Sequence, residues 1–296
     1  MHEGRKRHVI FATDPLLDAT VSWDVVKSCD SAAMKAFLAG IKAMGLVPVV
    51  VITDGSALYK ESLVERWKDV EHQLCIFHVL ANINKDVLAA ARAILKTLPK
   101  PKKYRRGRPQ KRGRKRKKDD RRKFVSDHLH LIVKRRDRFT GDDRAEWRRM
   151  VEINPAFETL KEFVDEVHGL FEKGITKQAA RRRRNRLARN PVYLDIPHLK
   201  RAIHRVRRHE FEKMIVFMDY ENLDRTNNHV ERGNRSFRMI QKTRYRRRRT
   251  RTIMLALELH VLRRWRKHPL YAAGRRRPKR LRPRRPGAQT GQRRAA

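Results

Sequence analysis

The fold is decided by the stretch Leu46-Val47-Pro48-Val49-Val50-Val51-Ile52-Thr53-Asp54-Gly55-Ser56. A β-branched run without polar interruption is typical of a strand covered on both faces, and this one stops at an acid followed by glycine. Asp54 is therefore expected at the carboxyl end of a buried strand, where ligands and catalytic groups collect in open α/β sheets. In the other interpretation, Asp54 caps the helix that follows, for which Ser56 is an equally good cap. The strand alone leaves both interpretations open.

Alternating helix and strand patterns surround this stretch and predict an α/β fold with a mixed sheet. The hairpin prediction rests on two β-rich segments around an Asp-Pro turn, and the first helix should end at Gly45. In chain order we expect hairpin strands His8–Thr13 and Thr20–Val26, helix Ser31–Met44, the quoted strand, helix Ala57–Trp67, strand Gln73–Phe77 and helix Val79–Leu98.

The net charge points to a polyanionic partner. The chain has 75 Lys and Arg against 32 Asp and Glu, a formal charge of +43, and nucleic acid is the default partner for a field of this size. A membrane surface is a weaker alternative, because there is no basic amphipathic helix with an aromatic face and no apolar run near the roughly 20 residues of a membrane span. The N-terminal residues lack an apolar signal core, and the two cysteines, Cys29 and Cys75, fit a reducing cytosol.

A basic linker begins at Lys100. Two of every three residues from Lys100 to Lys123 are lysine or arginine, which cannot form a core and predicts a segment that is disordered or ordered by nucleic acid. Within it, Arg106-Gly107-Arg108-Pro109 matches the centre of an AT-hook, in which Arg-Gly-Arg enters a narrow A·T minor groove. Sequence-independent phosphate binding is the alternative.

The remaining pattern divides the chain into four parts. We expect residues 1–98 to form the first part of an α/β core, 99–215 a basic linker and helical insertion, 216–268 the last helices of the core, and 269–296 a disordered basic tail. In the insertion, helices should cover Phe124–Arg189 and resume at Ile196–Arg208 after a break at Asn190-Pro191. The run Arg181-Arg182-Arg183-Arg184 is expected to be a solvated or DNA-facing surface.

A second acid candidate lies in the late segment Thr226-Asn227-Asn228-His229-Val230-Glu231-Arg232-Gly233-Asn234-Arg235-Ser236-Phe237-Arg238. Asn228 and Glu231 have the spacing of a capping box, which places the carboxylate of Glu231 in the first turn of a helix. If Asp54 and Glu231 converge, they form part of an oxygen-ligand site for Mg²⁺ or Mn²⁺. Two such ions, about 4 Å apart, activate a water or a 3′-hydroxyl for attack on a phosphodiester. Three acids are usually needed to hold them. A further amphipathic helix is predicted at Thr252–Trp265.

Three motifs in this order resemble the bacterial insertion-sequence transposases of the DDE class, in the group with a Cys-x-x-His signature shared with Mutator-like elements. They are Val51-Ile52-Thr53-Asp54-Gly55-Ser56, Cys75-Ile76-Phe77-His78, and Thr226 to Arg232 with Asn234-Arg235 and Lys242-Thr243-Arg244-Tyr245. The resemblance covers roughly residues 5–98 and 216–266. It implies a ribonuclease-H-like fold interrupted by a helical insertion, with Asp54 as the second acid and Glu231 as the third. It also implies Mg²⁺ (or Mn²⁺), DNA cleavage and strand transfer at element ends, a homo-oligomer on DNA, and a cytoplasmic, nucleoid-associated bacterial protein.

The first acid of that family has no match here. In the family it lies on the central strand, just before a hairpin resembling His8–Val26, whereas only Met1 to Arg7 precede the hairpin in this chain. Asp14 falls in the hairpin turn and is a poor replacement. We therefore expect a truncated copy or a misplaced start codon, no N-terminal DNA-recognition domain, and a sheet split in its middle. The copy would then be inactive as given.

The other motif residues have several possible roles. A zinc site at Cys75 and His78 would need four ligands, and with only His72 and Cys29 as further candidates, packing or hydrogen bonding is the stronger expectation. Asn227, Asn228 and Asn234 are expected to cap the helix or orient Glu231. The residues expected to contact phosphate are Arg235, Lys242, Arg244, Tyr245 and Arg246, with stacking by Tyr245 and solvated surface as the alternative.

The leading functional hypothesis is thus a DDE-type transposase core. The alternatives are a non-catalytic transposase remnant and a basic DNA- or RNA-binding protein, both of which would bind nucleic acid in a salt-sensitive and sequence-tolerant way.

Overall fold

A computed structural model describes residues 7–17, 19–100, 120–240, 250–266 and 281–284. These residues divide into two compact units. The core unit contains the described residues up to Val79 and those from Glu212 onward, and the helical unit contains those between Leu80 and Phe211. The division therefore falls at 79/80 and 211/212, compared with the expected boundaries at 98/99 and 215/216.

The strands are β1 (His8–Asp14), β2 (Ala19–Val26), β3 (Val50–Thr53) and β4 (Glu71–Leu74). The helices are α1 (Ser31–Ala43), α2 (Lys60–Arg66), α3 (Ile76–Thr97), α4 (Arg121–His128), α5 (His130–Val133), α6 (Gly141–Ile153), α7 (Ala156–Gly169), α8 (Lys177–Arg189), α9 (Pro191–Leu194), α10 (Pro197–Arg205), α11 (Arg208–Met214), α12 (Asn228–Ile240) and α13 (Thr250–Arg266). Short 3₁₀ turns cover Ala57–Tyr59, Arg136–Arg138 and Val216–Asp219.

The hairpin β1–β2 is covered by helices on both faces. Its strands pair antiparallel, with Phe11 opposite Trp23, and alternate residues point to opposite sides. One face, including Ile10, packs against buried side chains of α1 and α2. The other face, including Phe11, packs against Phe237 of α12 and Leu257 of α13. The predicted hairpin is confirmed, as are α1 and the late amphipathic helix α13.

The strands do not form the single mixed sheet that the alternation of elements predicts, and their division agrees with the expectation of a sheet split in its middle. β1 pairs with β2, and β3 pairs in parallel with β4, so the described strands make two separate two-stranded sheets. The sheets nevertheless share one hydrophobic cluster, because Val51 of β3 packs against the same buried group as Ile10 of β1. The core unit is therefore a mixed α/β structure whose strands lie in two sheets.

The quoted stretch forms a shorter and less buried strand than predicted. β3 begins at Val50, while Val47 is 76% exposed and Val49 is 59% exposed. Pro48 has no N–H to donate to a strand ladder, which explains why pairing begins only after it. Within β3 only Thr53 is buried. The position of Asp54 directly after the strand is nevertheless as expected.

Among its described residues, the helical unit is built from helices and a 3₁₀ turn around α7. Phe157, Leu160 and Phe163 of α7 are completely buried, and the ring of Tyr193 meets that of Phe163 edge-on at 5.2 Å. Asn190 accepts a hydrogen bond from the backbone of Val192 and starts α9 where the sequence predicted a break. No helix among the described ranges is both long and apolar enough to cross a membrane.

Candidate active site

Asp54 closes a tight turn at the carboxyl end of β3. The side chain is exposed, and its Oδ1 accepts a hydrogen bond from the backbone N–H of Ser56 at 2.9 Å. Gly55 has φ +84°, a conformation that favours glycine. Ser56 Oγ in turn accepts from the backbone of Leu58 at 3.4 Å. Asp54 therefore orders its own loop. Because α2 starts without a side-chain cap, Asp54 does not cap that helix.

The end of β4 lies beside the end of β3. The two strands are parallel, and their last residues, Thr53 and Leu74, pair with each other. The backbone N–H of Cys75 donates to the Thr53 carbonyl at 2.7 Å. The Thr53 hydroxyl lies 2.7 Å from His72 Nε2 and also accepts from the Gly55 N–H at 3.3 Å. The residues that follow the two strands, Asp54 and Cys75, are thus held at the same sheet edge.

The Cys-x-x-His motif contacts the segment that starts α12. Cys75 is completely buried, and its Sγ accepts a hydrogen bond from the backbone N–H of Asn227 at 3.4 Å. The backbone N–H of Ile76 donates to the Arg225 carbonyl at 3.0 Å. His78 Nε2 lies 3.3 Å from Glu231 Oε1. The first turns of α3 and α12 therefore meet, with an imidazole facing a carboxylate.

The start of α12 differs from the predicted capping box. The helix begins at Asn228, and the backbone N–H groups of Val230 and Glu231 donate to the Asn227 carbonyl at 3.0 and 3.3 Å. Asn227 is therefore the capping position, and Asn228 and Glu231 both lie inside the helix. The capping-box prediction was wrong by one residue, because the sequence offers two adjacent asparagines.

The remaining α12 residues follow from helix geometry. Asn228 and Arg235 are exposed, while Asn234 is half-buried one turn beyond Glu231. Arg235 stands one turn from the same carboxylate, since residues three and four apart share a helix face. Asn234 and Arg235 are thus placed near Glu231, and Asn228 faces solvent.

Two buried polar atoms of the site, His78 Nδ1 and Asn227 Oδ1, have no hydrogen-bond partner among the residues that the structure describes. Leaving such a group unpaired typically costs about 1–3 kcal/mol. Both belong to the contact between the Cys-x-x-His motif and the start of α12. Unpaired buried polar groups lower the stability of the fold, so their presence here is consistent with a functional role for this contact.

The donors at this edge fit magnesium better than zinc. The described residues contain no group of three or more His, Cys, Asp or Glu that could hold a metal ion. Cys75 Sγ already accepts the Asn227 N–H and His78 faces Glu231, so nothing supports zinc at the motif. Asp54 and Glu231 offer the carboxylate oxygens that Mg²⁺ and Mn²⁺ prefer. No hydrogen bond joins Asp54 directly to Glu231; the link runs through Thr53, Cys75 and the start of α12.

The sequence pattern missed several residues that shape the site. Burial, and then the negative charges of Asp54 and Cys29, raise the pKa of Tyr59 to about 12, so a neutral phenol lies near Asp54. Buried Gln73 donates through Nε2 to the Leu74 and Met214 carbonyls at 2.6 and 3.0 Å. Its Oε1 accepts from the Phe217 N–H at 2.8 Å. Only the position of Gln73 in a predicted strand, unusual for a long polar side chain, could have signalled this role.

Asp14, the poor candidate for the first acid, is used by the hairpin turn. Its Oδ1 accepts hydrogen bonds from the backbone N–H groups of Leu16 and Leu17 at 2.8 and 3.3 Å. This is the ordinary role of an aspartate that begins a turn. The structure therefore gives Asp14 a local structural partner.

Comparison with protein families gives a match over most of the chain. The model of a transposase family matches residues 2–255. The chain belongs to this insertion-sequence transposase family. No curated protein and no solved structure matches the chain. The matched range contains Asp54, the Cys-x-x-His motif and Glu231, so the contacts described above lie inside the part of the transposase that defines its family.

Other residues predicted to bind DNA cannot be placed in the transposase. Arg106, Gly107 and Arg108 of the AT-hook-like sequence lie outside the described residues, as does most of the basic linker. The same is true of Lys242, Arg244, Tyr245 and Arg246, and of nearly all of the C-terminal tail. Their roles stay predictions.

Proposed function

We propose that this transposase is the DDE-type catalytic core of an insertion sequence, with a ribonuclease-H-like architecture, and that it cuts and joins DNA at the element ends with Mg²⁺ or Mn²⁺. The observation that carries the proposal is the contact between His78 and Glu231. It brings the start of the late helix to the Cys-x-x-His motif, which begins where β4 ends beside Asp54. The family match supports the same assignment.

Asp54 and Glu231 would hold the metal through carboxylate oxygens. When bound, the ions activate a water or 3′-hydroxyl and stabilise the leaving oxygen in an in-line displacement. The protein's part is to fix the two carboxylates. Asp54 is fixed by its bond to the Ser56 N–H, and Glu231 by its place in the first turn of α12.

His78 is proposed as a positioning residue for Glu231. An imidazole whose Nε2 lies 3.3 Å from a carboxylate oxygen helps to orient that carboxylate, and such outer contacts are worth 10–100-fold in activity or metal affinity in other metal sites. Cys75 holds the start of α12 in place, because its Sγ accepts a hydrogen bond from the Asn227 N–H. The Cys-x-x-His motif would then serve the geometry of the third acid without binding a metal itself.

DNA is the proposed partner, bound in part through Arg235, which is exposed one turn beyond Glu231. The net charge of +43 provides a large sequence-independent attraction for the phosphate backbone. Because transposition joins two element ends, we propose a homo-oligomer assembled on DNA. The protein would act in the bacterial cytoplasm on the nucleoid.

The test is a strand-transfer assay on DNA taken from both flanks of the reading frame. The chain as given is compared with a form that also carries any in-frame codons found before Met1. Asp54→Asn and Glu231→Gln are each expected to lower strand transfer by about a thousandfold or more, since metal-held charge stabilisation is worth several kcal/mol.

Asp69→Asn is the matched control. Asp69 is exposed and precedes β4, so it lies at the opposite strand end from Asp54 and its loss should leave the rate unchanged. Equal activity of the Asp54 variant and the wild type would overturn the catalytic assignment. Salt-sensitive DNA binding without metal-dependent chemistry in either form would instead identify a non-catalytic DNA-binding remnant.

A further inference from the structure

Charge is distributed unevenly over the helical unit. Helices α8 and α10 contain no acidic residue, whereas α6 and α7 carry eight. Those eight are Asp142, Asp143, Glu146, Glu152, Glu158, Glu162, Asp165 and Glu166. Several of them are neutralised by nearby bases; Asp165, for example, pairs with Arg136 and with the buried Lys161 at 2.6 Å each. The basic residues of α8 have no such counterpart within their own helix.

Five of the six arginines of α8 fall into two groups. Arg183 serves the fold, because its Nη1 donates to the Gly169 carbonyl at 2.7 Å and to Glu172 at 2.8 Å. Arg184 does the same through the Val206 carbonyl at 3.0 Å. The second group, Arg182, Arg186 and Arg189, is exposed, and no ion pair with a carboxylate is recorded for any of them within the described part of the chain.

These three exposed arginines form one row. Their spacing of four and three residues places them on one helix face, while Ala180 and Leu187 are buried on the other. The row extends about 10 Å along the helix axis, which is about three base steps along one DNA strand. A row of this length and charge is suited to consecutive phosphates.

A second group of exposed basic residues lies on α10. The bond from Arg184 to the Val206 carbonyl ties α8 to the residue that ends α10. Lys200, Arg201 and His204 are exposed on α10, with Leu199 and Ala202 buried beneath them. We define the α8–α10 surface as Arg182, Arg186 and Arg189 of α8 together with Lys200, Arg201 and His204 of α10.

We propose that the α8–α10 surface binds the phosphate backbone of duplex DNA without reading its sequence. It would be a DNA contact of the transposase additional to Arg235 and separate from the proposed metal site at Asp54 and Glu231. Exposed arginines without carboxylate partners release counterions when they meet phosphates, which drives binding. Contacts of this kind set the register and orientation of a protein on a duplex. The proposal rests on DNA being the substrate, but not on any chemistry at Asp54.

The main experiment compares two triple variants of the full chain. Arg182→Gln, Arg186→Gln and Arg189→Gln remove the row on α8, while Arg138→Gln, Arg144→Gln and Arg148→Gln remove three exposed arginines at and before α6. Both lose the same charge. The control group also contains two arginines, Arg144 and Arg148, that line a cavity of about 490 Å³ with Phe139 and Trp147.

Binding of a random-sequence duplex is measured by fluorescence anisotropy over a range of salt concentrations. The α8 triple variant should reduce the slope of log K against log salt by about 2.7, since each phosphate contact contributes about 0.9. The same relation gives a loss of about 100-fold in affinity near 0.15 M salt. The control triple variant should change both quantities much less. Equal losses in the two variants, or no loss in the first, would overturn the proposal.

A cross-linking measurement keeps the proposal testable if other basic segments mask the affinity change. p-Benzoylphenylalanine at position 182 should cross-link to duplex DNA under ultraviolet light several-fold more than the same residue at position 148. Preference for an RNA hairpin over DNA at position 182 would also contradict the proposal. Asp54→Asn should leave the binding and the cross-linking unchanged, so a failure of the catalytic assignment is distinguishable from a failure of this surface.

Discussion

His78 Nε2 lies 3.3 Å from Glu231 Oε1, a contact between the first turns of two helices that are far apart in the sequence. Both side chains are partly accessible, with 33% of His78 and 43% of Glu231 exposed. An exposed pair of this kind adds little to stability. In the proposed function this contact orients the carboxylate of Glu231, and it joins the Cys-x-x-His motif to the late acid.

Replacing His78 tests this positioning role. His78→Phe keeps a ring of similar size without a donor and should lower strand transfer by about 10–100-fold, with little change in the KM for DNA. His78→Gln keeps an N–H donor and should recover much of the loss. The measurement is the rate of strand transfer for both variants under saturating DNA. A Gln variant as impaired as the Phe variant would show that hydrogen bonding to Glu231 is not the function of His78.

Gln73 is expected to be important for the stability of the core unit. The side chain is completely buried and satisfies Met214 and Phe217 backbone groups that are more than 140 residues away. Gln73→Leu should lower the free energy of unfolding by about 2–4 kcal/mol, because each buried backbone group left unpaired costs about 1–3 kcal/mol.

Urea denaturation provides the measurement for Gln73. The control is Gln178→Leu, at an exposed glutamine of α8, which should change the free energy of unfolding by less than about 0.5 kcal/mol. Similar values for the two variants would mean that the Gln73 hydrogen bonds do not hold residues 214–217 against β4.

The core elements were predictable where local patterns decide them. The hairpin followed from two β-rich segments around an Asp-Pro turn, and the structure places Ile10 and Phe11 on its opposite faces. The first helix is α1, which begins after Asp30, whose side chain accepts the Ala33 N–H. The start of β3 was not predictable from apolar character, because Pro48 limits pairing and the preceding residues remain exposed. Pairing between strands depends on distant partners, so the alternation of helices and strands predicts one mixed sheet. The split into two sheets was expected only from the resemblance, whose central strand has no match here.

For the site, the sequence identified the motifs but not their contacts. Asp54, Cys75, His78 and Glu231 were all found as candidates, and the structure brings His78 to Glu231. Either of two adjacent asparagines could cap α12. The position of the Asn227 carbonyl decides between them, and the sequence alone does not reveal that position. The Gln73 network joins residues more than 140 positions apart, and no local pattern reports such a pairing.

The helical unit should lose stability in acid partly through Asp143. Its carboxylate accepts hydrogen bonds from Lys134 Nζ and from Thr140, which lower its pKa from 3.8 to about 2. A carboxyl group whose pKa is lower in the folded state than in the unfolded state stabilises the fold at pH values above its unfolded-state pKa. That contribution is lost as the pH falls from about 3.8 to about 2. Asp143→Asn should therefore weaken the pH dependence of unfolding in this range.

Thermal unfolding at pH values between 2 and 5 measures the effect. Asp142→Asn is the matched control, because Asp142 is the exposed neighbour of Asp143 on α6. The control should unfold with the same pH dependence as the wild type. An unchanged pH dependence in Asp143→Asn would exclude the Lys134 pair as a cause of acid sensitivity.

The central claim is that Asp54 and Glu231 share a divalent ion, and iron-mediated cleavage tests it most directly. Fe²⁺ replaces Mg²⁺, and hydroxyl radicals generated with ascorbate and peroxide cut the backbone close to the bound ion. We expect cuts near both residue 54 and residue 231, suppressed together by excess Mg²⁺ and lost together in Asp54→Asn or Glu231→Gln. Cuts near only one of the two positions, or loss of only the local cut in each variant, would contradict a shared ion.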